Sequence, residues 1–506
     1  MLDLIPTLLN SFPLSVLLSG LIAMGLISWL RPKGRIAFHH AKDNKLTLTK
    51  VSGAAGAKEQ TTFVDVCRSA TPEACNLNPF LFNGHLQTCW TALKQDNVPV
   101  YYKRKMFESD SPAFTGHYAM DFVVAPYDIP QDPELTDQAR KYTQKSGMPS
   151  RTSFFSQDEF AALPSDDTKP MLILLHGLSG GSHEIYLREV LAPLVKDGAW
   201  EACVVNSRGC AETSISTGVL YNARATWDVR QAVKWLRAQF PNRPLFGIGF
   251  SLGANILTNY LGEEGEACQL KAAVICASPW NLDVSSMVLQ STWIGKEVYS
   301  RTMGTSMKKL FEAHVDQVSK NPRIDVDAIR NITYLHEFDR ALQCPTWGYP
   351  TEGAYYRDAT STDSMLAIRI PFLSIQAEDD PIACQEALPY QEMTQTPYGV
   401  MLTTSWGGHL GWFELGGSRW FVKPVCDSKL TIGIENELHT KPFLQVTNFL
   451  NKMAKEIDTD IPGVVEHPER LPGKIASHSG ANKEPDMAPK PEFVSMRRKL
   501  ALPLGL

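Results

Sequence analysis

Between residues 171 and 279 the sequence alternates between short apolar runs and longer amphipathic segments. The runs "MLILLHG", "EACVVNSRG", "PLFGIGF" and "KAAVICASP" each end in or near a glycine or a proline, as buried strands do. The segments between them have apolar residues at helical spacing, and they cover residues 183–198, 225–240 and 252–265. Strands that alternate with helices of about 10–15 residues form βαβ units. The pattern therefore predicts an α/β fold, with a mostly parallel sheet covered by helices on both faces.

The flanking sequence predicts further elements and a division of the chain. We expect two more strands of the same sheet at residues 370–379 and 400–408, and an antiparallel pair of strands that leads into the sheet at 98–107 and 117–126. A polar surface segment should cover residues 127–168, and a helical insertion of the length that functional lids have should cover 281–369. The predicted units are a membrane anchor (1–35), a lead-in (36–96), the α/β domain with its lid (97–455) and a disordered tail (456–506).

Composition excludes several classes of function. The chain has 506 residues, of which 43% are hydrophobic, enough for a large buried core. Its net charge of −5 is small and not clustered, whereas a nucleic-acid partner requires a basic stripe. The ten cysteines are scattered singly without a CxxC pair, so nothing indicates a zinc site. We expect no cofactor, no metal and no nucleic-acid partner.

The N-terminal segment predicts a membrane anchor. Residues 4–30 contain no charged side chain, and the densest apolar run, 14–30, approaches the length that spans a bilayer. Arg31, Lys33 and Arg35 follow it, the reverse of the order in a secretory signal. A cleaved signal or a buried hairpin remains the alternative. The positive-inside rule places the body on the cytosolic face of a membrane, at the endoplasmic reticulum or a lipid droplet. There the sequon at Asn331 would stay unmodified.

A G-x-S-x-G motif stands between a predicted strand and a predicted helix. It consists of Gly249-Phe250-Ser251-Leu252-Gly253. This is the setting of a nucleophile elbow, in which a sharp turn lifts the serine above the sheet at a helix N-terminus. Larger side chains two positions before and after the serine would collide. The alternative is a tight turn whose glycines serve packing alone.

A serine nucleophile needs a base and a group that orients the base. In an elbow of this type the chain order is serine, acid, histidine. The run "FLSIQAEDDPI" ends in a cluster of acids, from which we select Asp380, with Asp379 as the alternative. The segment "TTSWGGHLGWFE" supplies His409 after the following strand. We expect His409 to accept the proton of Ser251 while Asp380 holds its tautomer.

Two backbone N–H groups should stabilise an anionic intermediate. We expect one from Leu252, directly after the nucleophile, and the other from Leu178 in "LLHGLSGGSHE". A phosphate-binding loop is excluded, because no Gly-Lys-Ser/Thr follows these glycines. We further expect Arg208 and Asp228 to form a structural ion pair between the "NSRG" loop and the next helix.

The chain from about residue 76 to about residue 450 resembles the AB hydrolase 4 family of the AB hydrolase superfamily. The matching stretches include "NPFLFNGHLQT", "HGLSGGSHEIYLR", "GFSLGANIL", "AEDDP" and "GGHLGWFE". That family includes membrane-anchored lipases and phospholipases of animals, and fungal medium-chain fatty acid ethyl ester synthase/esterases. The resemblance implies an α/β-hydrolase fold and a triad of Ser251, Asp380 and His409. The segment "NSRGC" resembles the fungal branch, whereas the apolar N-terminus is more similar to the anchored animal members.

Such a triad attacks a carbonyl carbon and forms an acyl-enzyme. Water as the acceptor gives ester hydrolysis, and an alcohol gives acyl transfer from an ester or from acyl-CoA. An anchored body with an aromatic-rich lid favours a lipid or medium-chain fatty acyl ester, although a soluble pocket for small esters is the alternative. A different class also remains open, namely a catalytically inactive, membrane-tethered binding protein on a hydrolase fold.

Overall fold

The structure is a computed structural model. It describes residues 34–42, 46–52, 57–95, 98–112, 114–128, 140–144, 147–422 and 445–458, together with positions 19, 20, 22 and 138. The predicted anchor and tail therefore lie almost entirely outside the described residues. Within the described part, no helix combines the length and the apolar character that crossing a membrane requires.

Thirteen strands are present in the described residues. They are β1 Ile36–His40, β2 Thr47–Ser52, β3 Ala57–Thr62, β4 Tyr101–Glu108, β5 His117–Val124, β6 Thr152–Phe154, β7 Met171–Leu175, β8 Glu201–Asn206, β9 Leu245–Phe250, β10 Leu270–Cys276, β11 Phe372–Ala377, β12 Gly399–Thr404 and β13 Ile457–Asp458.

Ten of these strands form one sheet in the order β1-β12-β11-β10-β9-β7-β8-β5-β4-β6. The six neighbours from β12 to β8 are parallel throughout, as the alternating pattern predicts. The predicted antiparallel strands at residues 98–107 and 117–126 form β4 and β5, which pair antiparallel and join the sheet through β8. The mostly parallel α/β architecture is thus confirmed.

Helices cover this sheet and fill its connections. Those with defined bounds are α1 Phe63–Ala70, α2 Gly84–Leu93, α3 Gln157–Ala161, α4 Ile185–Val195, α5 Thr226–Gln239, α6 Leu252–Glu264, α7 Leu282–Ser291, α8 Arg301–Ala313, α9 Val315–Val318, α10 Val326–Arg330, α11 Leu335–Phe338, α12 Cys344–Trp347, α13 Glu352–Ala359, α14 Thr362–Met365, α15 Tyr390–Met393 and α16 Gln445–Lys455. Two π-helical segments, Gly295–Ser300 and Asp339–Gln343, interrupt the run between α7 and α12.

The central strands are apolar on both sides because both faces of the sheet are covered. All five residues of β7 are buried. Leu172 and Leu174 belong to one hydrophobic core, whereas Ile173 and Leu175 belong to the core on the other face. This alternation follows from the two-residue period of a strand, and it explains why the sequence of β7 is a continuous apolar run.

Three features near the ends of the chain and the sheet were not anticipated from the sequence. β1 pairs antiparallel with β12 at one edge of the sheet, and β6 pairs parallel with β4 at the other. β6 lies inside the segment predicted as a polar surface excursion. β2, β3 and β13 form a separate three-stranded sheet. These strands are short or polar, so they lack the apolar run by which a buried strand is recognised.

The predicted lid segment lies between β10 and β11 and contains α7 to α14. Met307, Leu310 and Phe311 of α8 share a hydrophobic cluster with Leu220 and Tyr221, which follow β8. Leu178 and Leu252 pack against the same cluster. The helical insertion therefore packs against the loops that follow β7 and β8 and against the start of α6.

Candidate active site

Ser251 occupies the one-residue turn between β9 and α6. Its backbone has φ 52° and ψ −122°, a conformation that a residue with a side chain rarely adopts. The Ser251 N–H donates to the carbonyl oxygen of Cys276 at the end of β10, at 2.9 Å. This bond to the neighbouring strand and the helix that begins at Leu252 hold the strained residue at the edge of the sheet.

The two elbow glycines are required by close backbone approaches. A Cβ atom at Gly249 would lie 2.6 Å from the Cα atom of Ala254. A Cβ atom at Gly253 would lie 2.5 Å from the carbonyl oxygen of Leu175. The first collision is within the elbow, as expected from the motif. The second is with the end of β7, so Gly253 also sets how closely α6 approaches the sheet.

The structure brings Ser251, His409 and Asp380 together. Nε2 of His409 lies 2.8 Å from Oγ of Ser251, and Nδ1 of His409 lies 2.8 Å from Oδ2 of Asp380. The other carboxylate oxygen of Asp380 accepts from the N–H groups of Ile382 and Ala383, at 2.8 and 2.9 Å. With both oxygens bound, the carboxylate has a fixed orientation toward the imidazole.

Asp379, the alternative acid, has a different partner. Its Oδ1 accepts from the N–H of Gly408 at 3.0 Å, in the loop immediately before His409. Burial, together with the neighbouring Asp380, raises the pKa of Asp379 to about 6, against hydrogen bonds from backbone N–H groups. The geometry thus assigns the imidazole contact to Asp380 and a loop contact to Asp379.

A helix from the lead-in also holds the histidine loop. Thr88 on α2 accepts a 2.8 Å hydrogen bond from the His409 N–H. Gly84 on the same helix lies against the backbone carbonyl of Asp379, and a Cβ atom there would overlap that oxygen. Sequence reasoning assigned no role to α2. The available signal was the stretch "NGHLQT", which the family resemblance includes.

In the loop after β7, the backbone N–H groups of both neighbours of Leu178 already donate to tyrosine hydroxyl groups. Gly177 donates to the Tyr186 hydroxyl at 2.9 Å, and Ser179 donates to the Tyr221 hydroxyl at 2.8 Å. Leu178 lies between them and, with Leu252, lines the cavity at Ser251. A Cβ atom at Gly177 would lie 3.3 Å from Cβ of Ser251, so this loop passes directly beside the serine.

Ser251 opens into a cavity with about 810 Å³ of empty space, part of which is open to solvent. The insertion supplies much of its wall, including Leu282, Leu289, Met303, Met307 and Leu335. An elongated apolar group attached to a carbonyl at Ser251 would find apolar contacts there.

Comparisons with known proteins agree with the observed fold. Residues 170–390 match a family model described as the alpha/beta hydrolase fold. The chain is 34% identical to a monoacylglycerol lipase of Saccharomyces cerevisiae, over 78% of this chain and 90% of that protein. The chain belongs to the α/β-hydrolase family.

Two further relatives of this α/β-hydrolase are named as an ester synthase/esterase and as a phospholipase. The medium-chain fatty acid ethyl ester synthase/esterase 2 of Saccharomyces cerevisiae is 29% identical, over 77% of this chain and 90% of that protein. A Mus musculus protein named phospholipase ABHD3 is 30% identical, over 52% of this chain and 62% of that protein.

His176 links two loops of this α/β-hydrolase, a role that sequence reasoning missed. Its Nε2 lies 3.0 Å from the Ser207 N–H, and its Nδ1 lies 2.7 Å from the Gly177 carbonyl oxygen. Burial lowers the pKa of His176 to about 4, so the ring is neutral at pH 7. A neutral ring with Nδ1–H as the donor and Nε2 as the acceptor satisfies both bonds.

Two buried ion pairs of the α/β-hydrolase domain stabilise the surrounding loops. The predicted pair forms, since Arg208 donates to both carboxylate oxygens of Asp228 at 2.7 and 2.8 Å. A second pair was not anticipated. Arg104 on β4 donates to both oxygens of Asp121 on β5, each at 2.7 Å. Asp121 also accepts from the Ser182 hydroxyl, in the loop that contains Leu178.

Proposed function

We propose that this protein is a serine-dependent carboxylic ester hydrolase that acts on lipid or medium-chain fatty acyl esters through an acyl-enzyme. The observation behind the proposal is the hydrogen-bonded series from Ser251 through His409 to Asp380, with both bonds at 2.8 Å. A nucleophile, a base and a group that orients the base are what nucleophilic acyl transfer requires, and here the nucleophile lies on a strained elbow beside a mostly apolar cavity.

In the first half of the proposed reaction, Oγ of Ser251 attacks the ester carbonyl carbon while Nε2 of His409 accepts the hydroxyl proton. The carboxylate of Asp380 stabilises the resulting imidazolium through Nδ1–H. The N–H groups of Leu178 and Leu252 donate to the oxyanion of the tetrahedral intermediate. When the intermediate collapses, the ester C–O bond breaks and the leaving alcohol takes the proton from His409.

In the second half, an acceptor attacks the acyl-enzyme. His409 removes a proton from water or from an alcohol while the oxygen of the acceptor bonds to the acyl carbon. The bond between that carbon and Oγ of Ser251 then breaks, and Oγ takes the proton from His409. Water releases a fatty acid, whereas an alcohol releases a new ester. The triad treats both acceptors alike, so we propose alcohol O-acyl transfer, with an ester or acyl-CoA as donor, as a secondary activity.

The lining of the cavity supports the proposed acyl part of the substrate. Its wall includes the side chains of leucine and methionine residues from the insertion, next to Ser251. Two relatives in yeast are named for a monoacylglycerol and for medium-chain fatty acid ethyl esters. Lipid or medium-chain esters fit both observations better than short, water-soluble esters do.

The test of the hydrolase proposal is labelling with a fluorophosphonate probe. We expect the folded chain to form one covalent adduct at Ser251 and to hydrolyse medium-chain p-nitrophenyl esters. The variant Ser251→Ala should lose both properties while keeping its thermal unfolding midpoint. An unlabelled but folded protein would support the alternative of an inactive binding protein.

The acyl-transfer activity has a separate test. Acyl-CoA or a p-nitrophenyl ester is incubated with increasing ethanol or glycerol, and the fatty acid and the new ester are both quantified. We expect the ester product to rise in proportion to the alcohol at a constant rate of acyl-enzyme formation. Fatty acid as the sole product at every alcohol concentration would contradict acyl transfer.

We also propose that the protein is anchored in a membrane by residues 14–30, with the body on the cytosolic side, at the endoplasmic reticulum or at lipid droplets. The support is the uncharged segment followed by Arg31, Lys33 and Arg35. Exposed apolar side chains at Met287 and Trp293, the latter 74% exposed, are consistent with a body that faces lipid.

Alkaline carbonate extraction tests the anchor. We expect the full chain to remain with the membrane pellet and a chain lacking residues 1–33 to be released. Mass spectrometry of Asn331 tests the orientation, because this exposed sequon follows α10 and would be accessible to lumenal glycosylation. A glycan at Asn331 would place the body in the lumen.

A further inference from the structure

One buried carboxyl group in the cavity wall has no part in the proposed mechanism. Asp339 is 6% exposed and lines the same cavity as Ser251. It begins the π-helical segment Asp339–Gln343 of the insertion. Turns of this kind are rare in proteins as a whole, but they occur often at functional sites. Its Oδ2 accepts a 2.7 Å hydrogen bond from the Tyr356 hydroxyl.

Asp339 forms no ion pair within the described part of the chain. The adjacent Arg340 pairs with Glu352 instead. Burial raises the pKa of Asp339 to about 7, although the hydrogen bond from Tyr356 opposes that shift. A carboxyl group that is buried without a cation costs folding free energy. A perturbed acid in a cleft is therefore better explained by a ligand than by stability.

The neighbouring polar side chain in the same turn is already satisfied. Gln343 donates to the carbonyl oxygen of Tyr221 and accepts from the indole of Trp347, both at 3.1 Å. Oδ1 of Asp339, in contrast, accepts no hydrogen bond from the described residues. It is thus an acceptor that remains for a molecule in the cavity.

We propose that Asp339, oriented by Tyr356, determines specificity by accepting a hydrogen bond from a free hydroxyl group in the alcohol part of the ester substrate. The substrate class is then a partial ester of a polyol, such as a monoacylglycerol, rather than an ester of a simple alcohol. This inference rests on the proposed ester hydrolase function. A site built around a hydroxyl group discriminates strongly against an analogue that lacks it, because its buried acceptor is left without a partner.

The test compares two esters of one fatty acid, the monoacylglycerol and the ethyl ester, with the full chain in detergent. For Asp339→Leu we expect kcat/KM on the monoacylglycerol to fall at least tenfold, on the order of one lost hydrogen bond to a buried acid. The value on the ethyl ester should not fall and should instead rise, since that ester offers no hydroxyl group and the variant no longer leaves a buried acceptor without a partner. Tyr356→Phe should shift the ratio in the same direction by a smaller factor.

Met303→Leu is the matched control, because it changes an apolar wall residue of the same cavity. It should leave the ratio between the two esters unchanged. The rate of fluorophosphonate labelling at Ser251 shows that each variant is folded. Should Asp339→Leu fail to label, Tyr356→Phe decides the question.

An equal loss on both esters, or an unchanged ratio, in a labelled variant would overturn the assignment of Asp339 and leave the hydrolase proposal intact. If the unmodified chain hydrolyses neither ester and is not labelled, the hydrolase proposal itself fails, and the role of Asp339 fails with it.

Discussion

Nε2 of His409 lies 2.8 Å from Oγ of Ser251, although 158 residues separate the two along the chain. Ser251 directly follows β9, and His409 lies in the loop after β12. β9, β10, β11 and β12 are parallel neighbours, so the loops at their carboxyl ends meet at one edge of the sheet. The contact between the two residues is thus a consequence of strand order.

The two adjacent acids should differ sharply in effect. Asp380→Asn removes the partner that selects the tautomer of His409, and we expect kcat to fall by a factor on the order of 10⁴. Asp379→Asn keeps an oxygen that can accept from the Gly408 N–H, so we expect a loss of less than about tenfold. Steady-state hydrolysis of a p-nitrophenyl ester measures both. A larger loss for Asp379→Asn would reverse the assignment of the acid.

The site could be predicted from sequence where each residue follows a strand in a fixed order. Ser251 has the local glycine motif, and Asp380 and His409 each lie in the loop after a predicted strand. Thr88 could not be found in this way, because its bond to the His409 N–H joins residues 321 positions apart without a local pattern. Identifying such a partner requires the packed position of α2.

The same distinction applies to the fold. β7 is a continuous apolar run because it is buried on both faces, and its sequence therefore predicts it. β6 has only three residues, and it forms because β4 offers a free edge with which it pairs. Pairing of that kind depends on the neighbouring strand rather than on the residues of β6 themselves.

The elbow glycine after the nucleophile should not tolerate a methyl group. In Gly253→Ala the new Cβ atom meets backbone oxygen atoms at the end of β7, which cannot move without shifting the sheet. We expect the free energy of unfolding to fall by about 3 kcal/mol, with loss of labelling at Ser251. Gly353→Ala is the control, because its nearest atom, at 3.1 Å, is the flexible end of Arg357. That variant should lie within about 0.5 kcal/mol of the unmodified chain.

His176 should make stability depend on pH. Its pKa is lowered from 6.5 to about 4 by burial, so the unfolded chain binds a proton more readily than the folded one. The contribution of His176 to the free energy of unfolding is fully present above pH 6.5 and is lost as the pH falls toward 4. At pH 4.5 we expect His176 to contribute about 2.5 kcal/mol less to the free energy of unfolding than it does at pH 7. Urea denaturation at both pH values measures this change, when the unmodified chain is compared with His176→Gln. If the variant shows the same loss as the unmodified chain, His176 is not the titrating group.

The ion pair between Arg104 and Asp121 should be far more important for stability than an exposed one. Both side chains are 0% exposed, and Arg104 also donates to the carbonyl oxygen of Ala211 at 2.9 Å. Arg104→Met leaves the carboxylate of Asp121 buried without its cation, and we expect a loss of about 3–5 kcal/mol in the free energy of unfolding. The pair between Arg330 and Glu312 is 49% and 40% exposed, so Arg330→Met should cost less than about 1 kcal/mol. Chemical denaturation of both variants tests the contrast. Equal losses would mean that burial does not determine the importance of the pair.

Because Asp121 also binds Ser182, Arg104→Met should in addition slow labelling of Ser251 under conditions in which the variant remains folded.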